Sequence, residues 1–225
     1  MTDRPVPRYK VFHLLLLDES GSMSAIRQPV IDGFNATAQT VMELEQQFPG
    51  QEHRICLVTF NGSGIRTPLF DEPAGKLPRL DVKSYHPRGA TPLHDAMGLA
   101  ITRLRVLTEG HADHRVLVTI LTDGIENASR EYSHAAIQAL VEELTEKSWT
   151  FTYFGANHDA RRAADSLSIR NSMDFAAAPA ALPALFARDR ESRLAYSRRL
   201  QAGEDISRNY FTADPPADEP SAREA

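Results

Sequence analysis

An uninterrupted apolar segment that leads straight into a polar loop is the feature that most constrains this chain. In residues 12–23 (FHLLLLDESGSM), the leucine run is followed at once by Asp18, and then by Ser20 and Ser22. A short apolar run bounded by a glycine-containing turn is typical of a buried strand that ends in a loop. Spacing of two in an extended segment can point the three side chains the same way. Their oxygens would suit a hard cation such as Mg²⁺, or the segment is a solvated turn with a serine as helix N-cap.

The composition is that of a globular protein with one domain of ordinary size. The chain has 225 residues, of which 42% are hydrophobic and 24% are charged. Its formal charge of −5 gives no basic surface for nucleic acid, and no stretch approaches the roughly 20 apolar residues of a membrane span. The single cysteine, Cys56, lies in an apolar segment and is expected to be buried and inert. The start of the chain is not a signal peptide, so we expect a cytoplasmic protein with neither nucleic-acid nor membrane partners.

Proline and charge patterns divide the chain into four parts. Residues 1–8 are expected to form a loose arm, and residues 9–176 the folded domain. Residues 177–212 are expected to hold an Ala/Pro-rich connector and then a charged helix, and residues 213–225 an acidic disordered tail. The charged helix, predicted over 188–199, has five arginines against two acids. We interpret it as a solvated helix, with docking to an acidic surface as the alternative.

Strands and helices alternate along the domain, which predicts an α/β fold with a doubly wound, Rossmann-like, mainly parallel sheet and helices on both faces. Apolar patterns predict strands at 9–17, 53–60, 65–70, 114–121, 149–154 and 172–175, and helices at 26–48, 92–107, 132–147 and 159–167. The third strand is expected to pair antiparallel with the second, and residues 71–88 are expected to form a long loop. Thr91 is predicted to be the N-cap of the second helix, with Pro92 at its first position.

Three loops at the predicted strand ends carry oxygen ligands. Asp18, Ser20 and Ser22 follow the first strand, Asp123 follows a later one, and Thr91 lies in the loop between them. Ligands of open parallel sheets bind beyond the carboxyl ends of the strands, so we expect these side chains to meet there. Two carboxylates roughly neutralise a divalent ion, and the neutral hydroxyls leave it able to accept an anionic ligand from outside.

The segments DESGS, GATPLHDA and TDG, in that order, resemble the metal-ion-dependent adhesion site (MIDAS) of von Willebrand factor A (VWA) domains. The resemblance covers about residues 9–176, and Glu19 fills the variable position of the first motif. It implies a six-stranded sheet with one antiparallel edge strand, a Mg²⁺ ion and a non-catalytic binding role. The chain is similar to small single-domain bacterial members, which include proteins associated with tellurite resistance. Those members imply a multi-protein or stress-response system with an ATPase or chelatase-type partner.

The family's ligand pattern carries over to all five oxygen donors. Ser20 and Ser22 resemble direct hydroxyl ligands. Thr91 resembles the ligand that is direct in one state and bridged by water in another, and Asp18 and Asp123 resemble carboxylates that act directly or through water. The resemblance also implies that the open position of the ion takes an Asp or Glu side chain of a partner protein. The sequence alone does not decide whether the bound ion is Mg²⁺, Mn²⁺ or Ca²⁺.

Functions of other classes also stay open. Asp18 and Asp123 could form the acid–base pair of a metal-assisted hydrolase, although no histidine or lysine has a defined place beside them. A phosphotransferase loop would need a second aspartate where Ser20 stands. His111 and His114 could bind zinc, but we interpret them as a polar turn. A scaffold with a vestigial metal site is the last alternative, and the expectation is a binding module rather than an enzyme.

Three residues close to Thr91 have interpretations of their own. Arg88 is interpreted as an exposed loop arginine, with contact to an acidic partner as the alternative. Asp95 is expected to interact favourably with the N-terminus of its helix. His94 is interpreted as a surface residue rather than a metal ligand.

Overall fold

A six-stranded sheet forms the centre of the computed structural model of the chain, which describes residues 9–111, 113–156, 160–204, 206 and 209–211. Its strands are β1 (Tyr9–Asp18), β2 (Gln51–Asn61), β3 (Gly64–Pro73), β4 (His114–Thr122), β5 (Trp149–Ala156) and β6 (Asn171–Phe175). They lie in the order β3-β2-β1-β4-β5-β6, and every neighbouring pair is parallel except β2–β3. The predicted α/β sheet with one antiparallel edge strand is thus confirmed. The predicted arm (1–8) and tail (213–225) lie outside the described residues.

Helices cover both faces of the sheet and explain the uninterrupted leucine run of β1, Leu14–Leu17. They are α1 (Arg27–Gln47), α2 (Leu93–Thr108), α3 (His134–Thr145), α4 (Ala160–Ser166) and α5 (Leu182–Gln201). Successive side chains of a strand point to opposite faces. Leu14 and Leu16 pack with α2 and α3, whereas Leu15 and Leu17 pack with α1 and α5. Because both faces of β1 are buried, the strand shows no polar alternation and brings Asp18 to the edge of a packed core.

Two predicted boundaries differ from the structure by three residues or more. Strand β3 continues to Pro73, and a short 3₁₀ helix follows at Ala74–Lys76, so the loop expected over 71–88 begins later. Helix α5 begins at Leu182 rather than at residue 188, so the second half of the predicted Ala/Pro connector is helical. Pro183 lies in the first turn, where a missing backbone amide costs no hydrogen bond.

The interpretation of the arginine-rich helix as solvated is wrong for one of its faces. Arg188, Arg190 and Arg198 are exposed, but Arg193 is fully buried. Its Nε donates to Asp189 Oδ2 at 2.7 Å, one turn earlier on the same helix. Arg193 is buried without an unpaired charge because Asp189 is buried with it.

This ion pair continues into a buried polar cluster under the centre of the sheet. Arg193 Nη2 donates to Thr119 Oγ1 on β4 at 2.8 Å, and Arg193 Nη1 lies 3.0 Å from His13 Nδ1 on β1. His13 Nε2 in turn lies 2.9 Å from His53 Nδ1 on β2. An arginine only donates, so His13 Nδ1 accepts and its proton is on Nε2, which donates to His53. Both histidines are therefore neutral in the folded protein.

We expect acidification to destabilise the fold through this histidine pair. Burial, reinforced by the charge of Arg193, lowers the pKa of His53 from 6.5 to about 4. The unfolded chain therefore takes up the proton first, so stability is lost as the pH falls from about 6.5 towards 4. Between pH 7.5 and pH 5 the loss from His53 alone is about 2 kcal/mol.

Denaturant unfolding in EDTA at several pH values measures this effect. The matched variant is His53→Asn, because the amide oxygen of asparagine can replace Nδ1 as the acceptor of the His13 proton. The variant should lose about 2 kcal/mol less than the wild type over that range. The same pH dependence in both proteins would contradict the neutral pair.

The remaining predictions on burial can be compared directly. Cys56 is buried as predicted, and the backbone N–H of Asp71 donates to its Sγ at 3.2 Å. Burial raises the pKa of this thiol to about 12, which keeps it protonated and unreactive. Within the described residues, none of the helices combines the length and the apolar character that crossing a bilayer requires.

Candidate metal centre

The first and third predicted loops meet because β1 and β4 are parallel neighbours. Asp18 is the last residue of β1, and Asp123 directly follows the last residue of β4. Leu17, one residue before Asp18, is paired in register with Leu121, two residues before Asp123. Parallel strands in register end at the same edge, so both carboxylates lie at the carboxyl edge of the sheet.

A chain of short contacts joins the oxygens of the first loop to Asp123. Asp18 accepts from the backbone N–H of Ser20 and from the Thr122 hydroxyl, both at 2.6 Å. The hydroxyls of Ser20 and Ser22 are 3.2 Å apart, and Ser22 Oγ donates to Asp123 Oδ1 at 2.6 Å. Asp18 and Ser20 are buried whereas Ser22 is exposed, so the cluster runs from the core to the surface.

Thr91 joins the same cluster across Gly124. A Cβ atom built on Gly124 would lie 2.8 Å from Thr91 Oγ1 and 3.6 Å from Ser20 Oγ. The two hydroxyls therefore face one small space that a side chain at position 124 would enter. The structure thus brings all five of the predicted site residues together.

The electrostatics of the cluster favour a bound cation. Burial raises the pKa of Asp18 to about 6, against hydrogen bonds from Thr122 and Ser20, and the charge of Asp123 raises it further. Burial also raises the pKa of Asp123. Two carboxylates and three hydroxyls are the oxygen donors that a hard divalent ion takes, and such an ion would offset the cost of burying both charges. The residues present therefore fit the cation that the VWA resemblance implies.

The alternative of a simple capped turn has no support in the contacts of Ser20. Ser20 precedes a 3₁₀ helix at Gly21–Ile26, but its side chain makes no capping hydrogen bond. Its hydroxyl lies beside that of Ser22 instead. The serine therefore faces the oxygen cluster and leaves the helix end uncapped.

The zinc alternative is also without support. His114 Nδ1 lies 2.5 Å from the backbone carbonyl oxygen of His111, so this ring nitrogen is engaged by the turn itself. In the part of the chain that the structure describes, no three His, Cys, Asp or Glu side chains group as metal ligands. A metal centre in that part depends on hydroxyl ligands.

The predicted N-cap role of Thr91 is wrong, and the reason is a set of contacts between loops. Helix α2 begins at Leu93 and is preceded by Pro92, which lacks a capping side chain. The loop after β4 supplies the caps, because Glu126 Oε2 accepts from His94 N at 2.8 Å and Ser129 Oγ accepts from Asp95 N at 3.0 Å. The side chain of Thr91 is left for the oxygen cluster.

The same two loops are joined in the opposite direction as well. Thr91 N donates to Asn127 Oδ1 at 2.8 Å, and Asn127 N donates to the Thr91 carbonyl at 3.2 Å. The Asp95 carboxylate accepts from three successive backbone N–H groups, those of residues 130–132, at 2.8–2.9 Å. Burial raises the pKa of Asp95, but the hydrogen bonds from these three amides bring it below its ordinary value. Thr91 and Asp123 are therefore held by one connected pair of loops. Asp95 was expected to act only on its own helix, but its carboxylate joins these two loops.

Sequence reasoning gave Glu19 no role beyond the variable position of its motif, yet this residue is completely buried. Its Oε1 accepts from the His86 backbone N–H at 2.9 Å, and its Oε2 pairs with the Arg66 guanidinium. Its backbone carbonyl accepts from Arg88 N at 2.7 Å. Glu19 therefore ties the first loop to the segment that leads to Thr91. The position of Glu19 directly after a buried strand is the sequence signal for this contact, because an acid that is buried there needs a cationic partner.

Comparison with known proteins identifies the fold. No profile of a known protein family and no curated protein sequence matches the chain. Among solved structures, it is similar to the SpRpn10 VWA domain, with a TM-score of 0.53 and 12% identity over 81% of this chain and 94% of that one. It is similar to the pilus adhesin SpaC from Lactobacillus rhamnosus GG, with a TM-score of 0.59 and 14% identity over 84% of this chain and 30% of that one.

A third similar structure is proximal thread matrix protein 1 from the mussel byssus, with a TM-score of 0.53 and 16% identity over 79% of this chain and 46% of that one. The chain thus spans less than half the length of this protein and of SpaC. At such identities the likeness concerns the fold, and the six-stranded α/β sheet with one antiparallel edge strand is consistent with it. The chain has the α/β fold of a von Willebrand factor A domain.

Proposed function

We propose that the chain is a protein-interaction module in which a Mg²⁺ ion binds an acidic side chain of a partner protein. The residues that would hold the ion are Asp18, Ser20, Ser22, Thr91 and Asp123. The observation that carries the proposal is the meeting of two carboxylates and three hydroxyls from three loops at one edge of the sheet. When bound, the ion supplies a positive centre that accepts a carboxylate. The likeness to a pilus adhesin and to a VWA domain supports an interaction role in general.

The donor set favours Mg²⁺ or Mn²⁺ over Ca²⁺. All five groups are hard oxygen donors, which suit Mg²⁺, Mn²⁺ or Ca²⁺ better than softer metals. Ca²⁺ takes six to eight oxygens, often with bidentate carboxylates, whereas Asp18 already uses both of its oxygens in hydrogen bonds with Ser20 and Thr122. Mg²⁺ keeps several waters and needs few direct carboxylates. Titration calorimetry with the three ions should therefore show the tightest binding for Mg²⁺ or Mn²⁺.

The outer side of the cluster is accessible to a partner. Ser22 is exposed, and Asp123 is only partly buried. Ile125, two residues further on, leaves 76% of its surface exposed and offers an apolar contact beside the ion. Following the resemblance to bacterial members, we propose an ATPase or chelatase-type protein of a bacterial multi-protein or stress-response system as the partner class to test.

The contacts of the carboxylates favour binding over hydrolysis. Within the described residues, Asp18 and Asp123 accept hydrogen bonds from hydroxyl and backbone groups rather than from a histidine or lysine. The side chain of His94, in the first turn of α2, lies 3.9 Å from the Glu126 carboxylate. A general base needs to reach the water that it activates, and these contacts do not supply one. A phosphoester screen with Mg²⁺ and Mn²⁺ should therefore show no turnover, and turnover that Asp123→Ala removes would favour the hydrolase.

Affinity capture with the full chain as bait tests the proposal. We expect partners to be retained from the native cell in Mg²⁺, released in EDTA, and absent with Asp123→Ala as bait. Asp165→Ala is the matched control, because Asp165 is an exposed aspartate on α4. Equal retention in Mg²⁺ and EDTA would contradict a metal-dependent module. No heat of Mg²⁺ or Mn²⁺ binding in calorimetry would identify a scaffold with a vestigial site.

We expect Gly124→Ala to weaken Mg²⁺ binding by about tenfold, which is about 1.4 kcal/mol. The added methyl group would lie 2.8 Å from Thr91 Oγ1, which is closer than real Cβ contacts, and would push this hydroxyl away from the others. Gly110→Ala is the control, because a Cβ there meets nothing within 4 Å. Calorimetry on both variants measures the difference, and unchanged affinity in Gly124→Ala would show that Thr91 is not part of the centre.

A further inference from the structure

We propose that a basic pocket beside the candidate metal centre binds a second acidic side chain of the same partner. The pocket, called the arginine pocket below, is formed by Arg66 on β3 and by His86 and Arg88 in the segment that leads to Thr91. The inference rests on the proposed function, which assigns the first acidic side chain to the metal ion. It adds the chemistry of the partner, namely two acidic residues close together in sequence.

The arginine pocket is an open cavity of about 400 Å³. Its lining residues are Asn61, Ser63, Gly64, Ile65, Arg66, His86 and Arg88. None of them is acidic, although the whole chain carries a formal charge of −5. Its two arginines outweigh the one buried carboxylate beneath it, that of Glu19, so the pocket is a locally basic site on an acidic protein and is complementary to an anionic group.

Glu19 builds the pocket from below. Its carboxylate is completely buried, pairs with the Arg66 guanidinium and accepts from the His86 backbone N–H. The buried Glu19 carboxylate thus holds Arg66 and His86 in place on the two sides of the pocket, and a ligand cannot reach it. A guanidinium has five N–H donors, and the contact with Glu19 uses only Nη2. The side chain of Arg66 is 54% exposed, so further donors are available at the surface.

Arg88 supplies a second cation. Its backbone N–H is bound to the Glu19 carbonyl, while its side chain is exposed. In the described part of the chain, no acidic side chain pairs with its guanidinium. An arginine with an anchored backbone and an unpaired head is suited to a carboxylate from outside, in bidentate geometry.

The pocket and the candidate metal centre share one wall. The segment from Arg88 to Thr91 separates them, and its Gly89 carbonyl accepts from Gly21 N in the first loop at 2.9 Å. Three residues of chain span about 11 Å at most. An extended peptide rises about 3.3 Å per residue, so two acidic residues separated by two to four positions can reach both sites.

A peptide array with the full chain as the soluble probe tests the inference. One set of immobilised Gly/Ser peptides carries a single Glu, and the other carries a second Glu one to six positions away. In Mg²⁺ we expect a second Glu at a spacing of two to four to raise retention about fivefold, as for an ion pair near the surface. Arg88→Glu should lose this gain and should favour Lys at the same spacing. Arg170→Glu, a charge reversal at another exposed arginine, should behave as the wild type.

The array separates failure of the inference from failure of the proposed function. Mg²⁺-dependent retention of single-Glu peptides with no gain from a second Glu would overturn the arginine pocket and leave the proposed function standing. A gain that survives Arg88→Glu would also overturn it. Peptides that are retained equally in Mg²⁺ and EDTA, or not at all, would contradict the proposed function and the inference with it.

Discussion

Arg193→Ala is expected to lower the free energy of unfolding by about 3–5 kcal/mol, because it leaves a buried carboxylate without its cation. Asp189 is 1% exposed and has two partners, Arg193 Nε at 2.7 Å and the Tyr210 hydroxyl at 2.8 Å. A hydroxyl cannot replace the missing positive charge. The substitution also removes the donors to His13 and Thr119. Urea unfolding at pH 7.5 measures the loss.

Two further variants show whether the buried charge is the cause. Arg190→Ala removes an exposed arginine of the same helix, α5, that pairs with Glu43 of α1 at 3.1 Å, and it should cost less than about 1 kcal/mol. The double variant Asp189→Leu/Arg193→Met leaves no buried charge in this cluster and should recover about half of the loss or more. If the double variant were less stable than Arg193→Ala, hydrogen bonding rather than charge would dominate the cluster.

The position of Arg193 gives this stability prediction a functional meaning. The guanidinium contacts His13 on β1 and Thr119 on β4, and these are the two strands whose ends carry Asp18 and Asp123. Helix α5 is therefore attached by polar contacts to both strands of the candidate metal centre. Variants at position 193 should accordingly be assessed for fold before their Mg²⁺ binding is interpreted.

The sheet and the five candidate ligands were predictable because they depend on regular patterns. A parallel strand that is buried on both faces is mostly apolar and lacks polar alternation, so β1 and β4 are recognisable in the sequence. Parallel strands end at a common edge, so their next residues, Asp18 and Asp123, had to come close. The DESGS and TDG segments are visible for the same reason, since each directly follows such a strand.

The supporting contacts were not predictable because their partners are backbone groups of irregular loops. The side chains of Asn127 and Asp95 accept hydrogen bonds from backbone groups of the opposite loop, and no hydrophobic periodicity in the sequence predicts such a contact. The burial of Arg193 runs against the rule that charged residues are usually exposed, and only the aspartate one turn earlier indicates a buried pair. The arginine pocket also depends on the burial of Glu19 against Arg66, which a single sequence does not reveal.

Asp18→Asn is expected to abolish the stabilisation of the chain by Mg²⁺. For the wild type, an ion that binds only the folded state should raise the free energy of unfolding by about 2.7 kcal/mol at a concentration of 100 times Kd. The variant keeps an oxygen of similar shape but loses one of the two charges that balance the ion. Thermal unfolding in Mg²⁺ and in EDTA should then coincide for Asp18→Asn, whereas the exposed control Asp165→Asn should respond as the wild type does.

The metal-free variant should be as stable as the wild type or more stable, which separates loss of binding from loss of fold. Asn Oδ1 can still accept from Ser20 N, and Asn Nδ2 can donate to Thr122 Oγ1. The Thr122 hydroxyl can then donate to the Gly124 carbonyl, which is 3.2 Å away. The substitution also removes a buried charge close to Asp123. A metal-free Asp18→Asn protein that unfolds more readily than the wild type would show that Asp18 supports the fold, whereas a full response to Mg²⁺ in this variant would place the ion elsewhere.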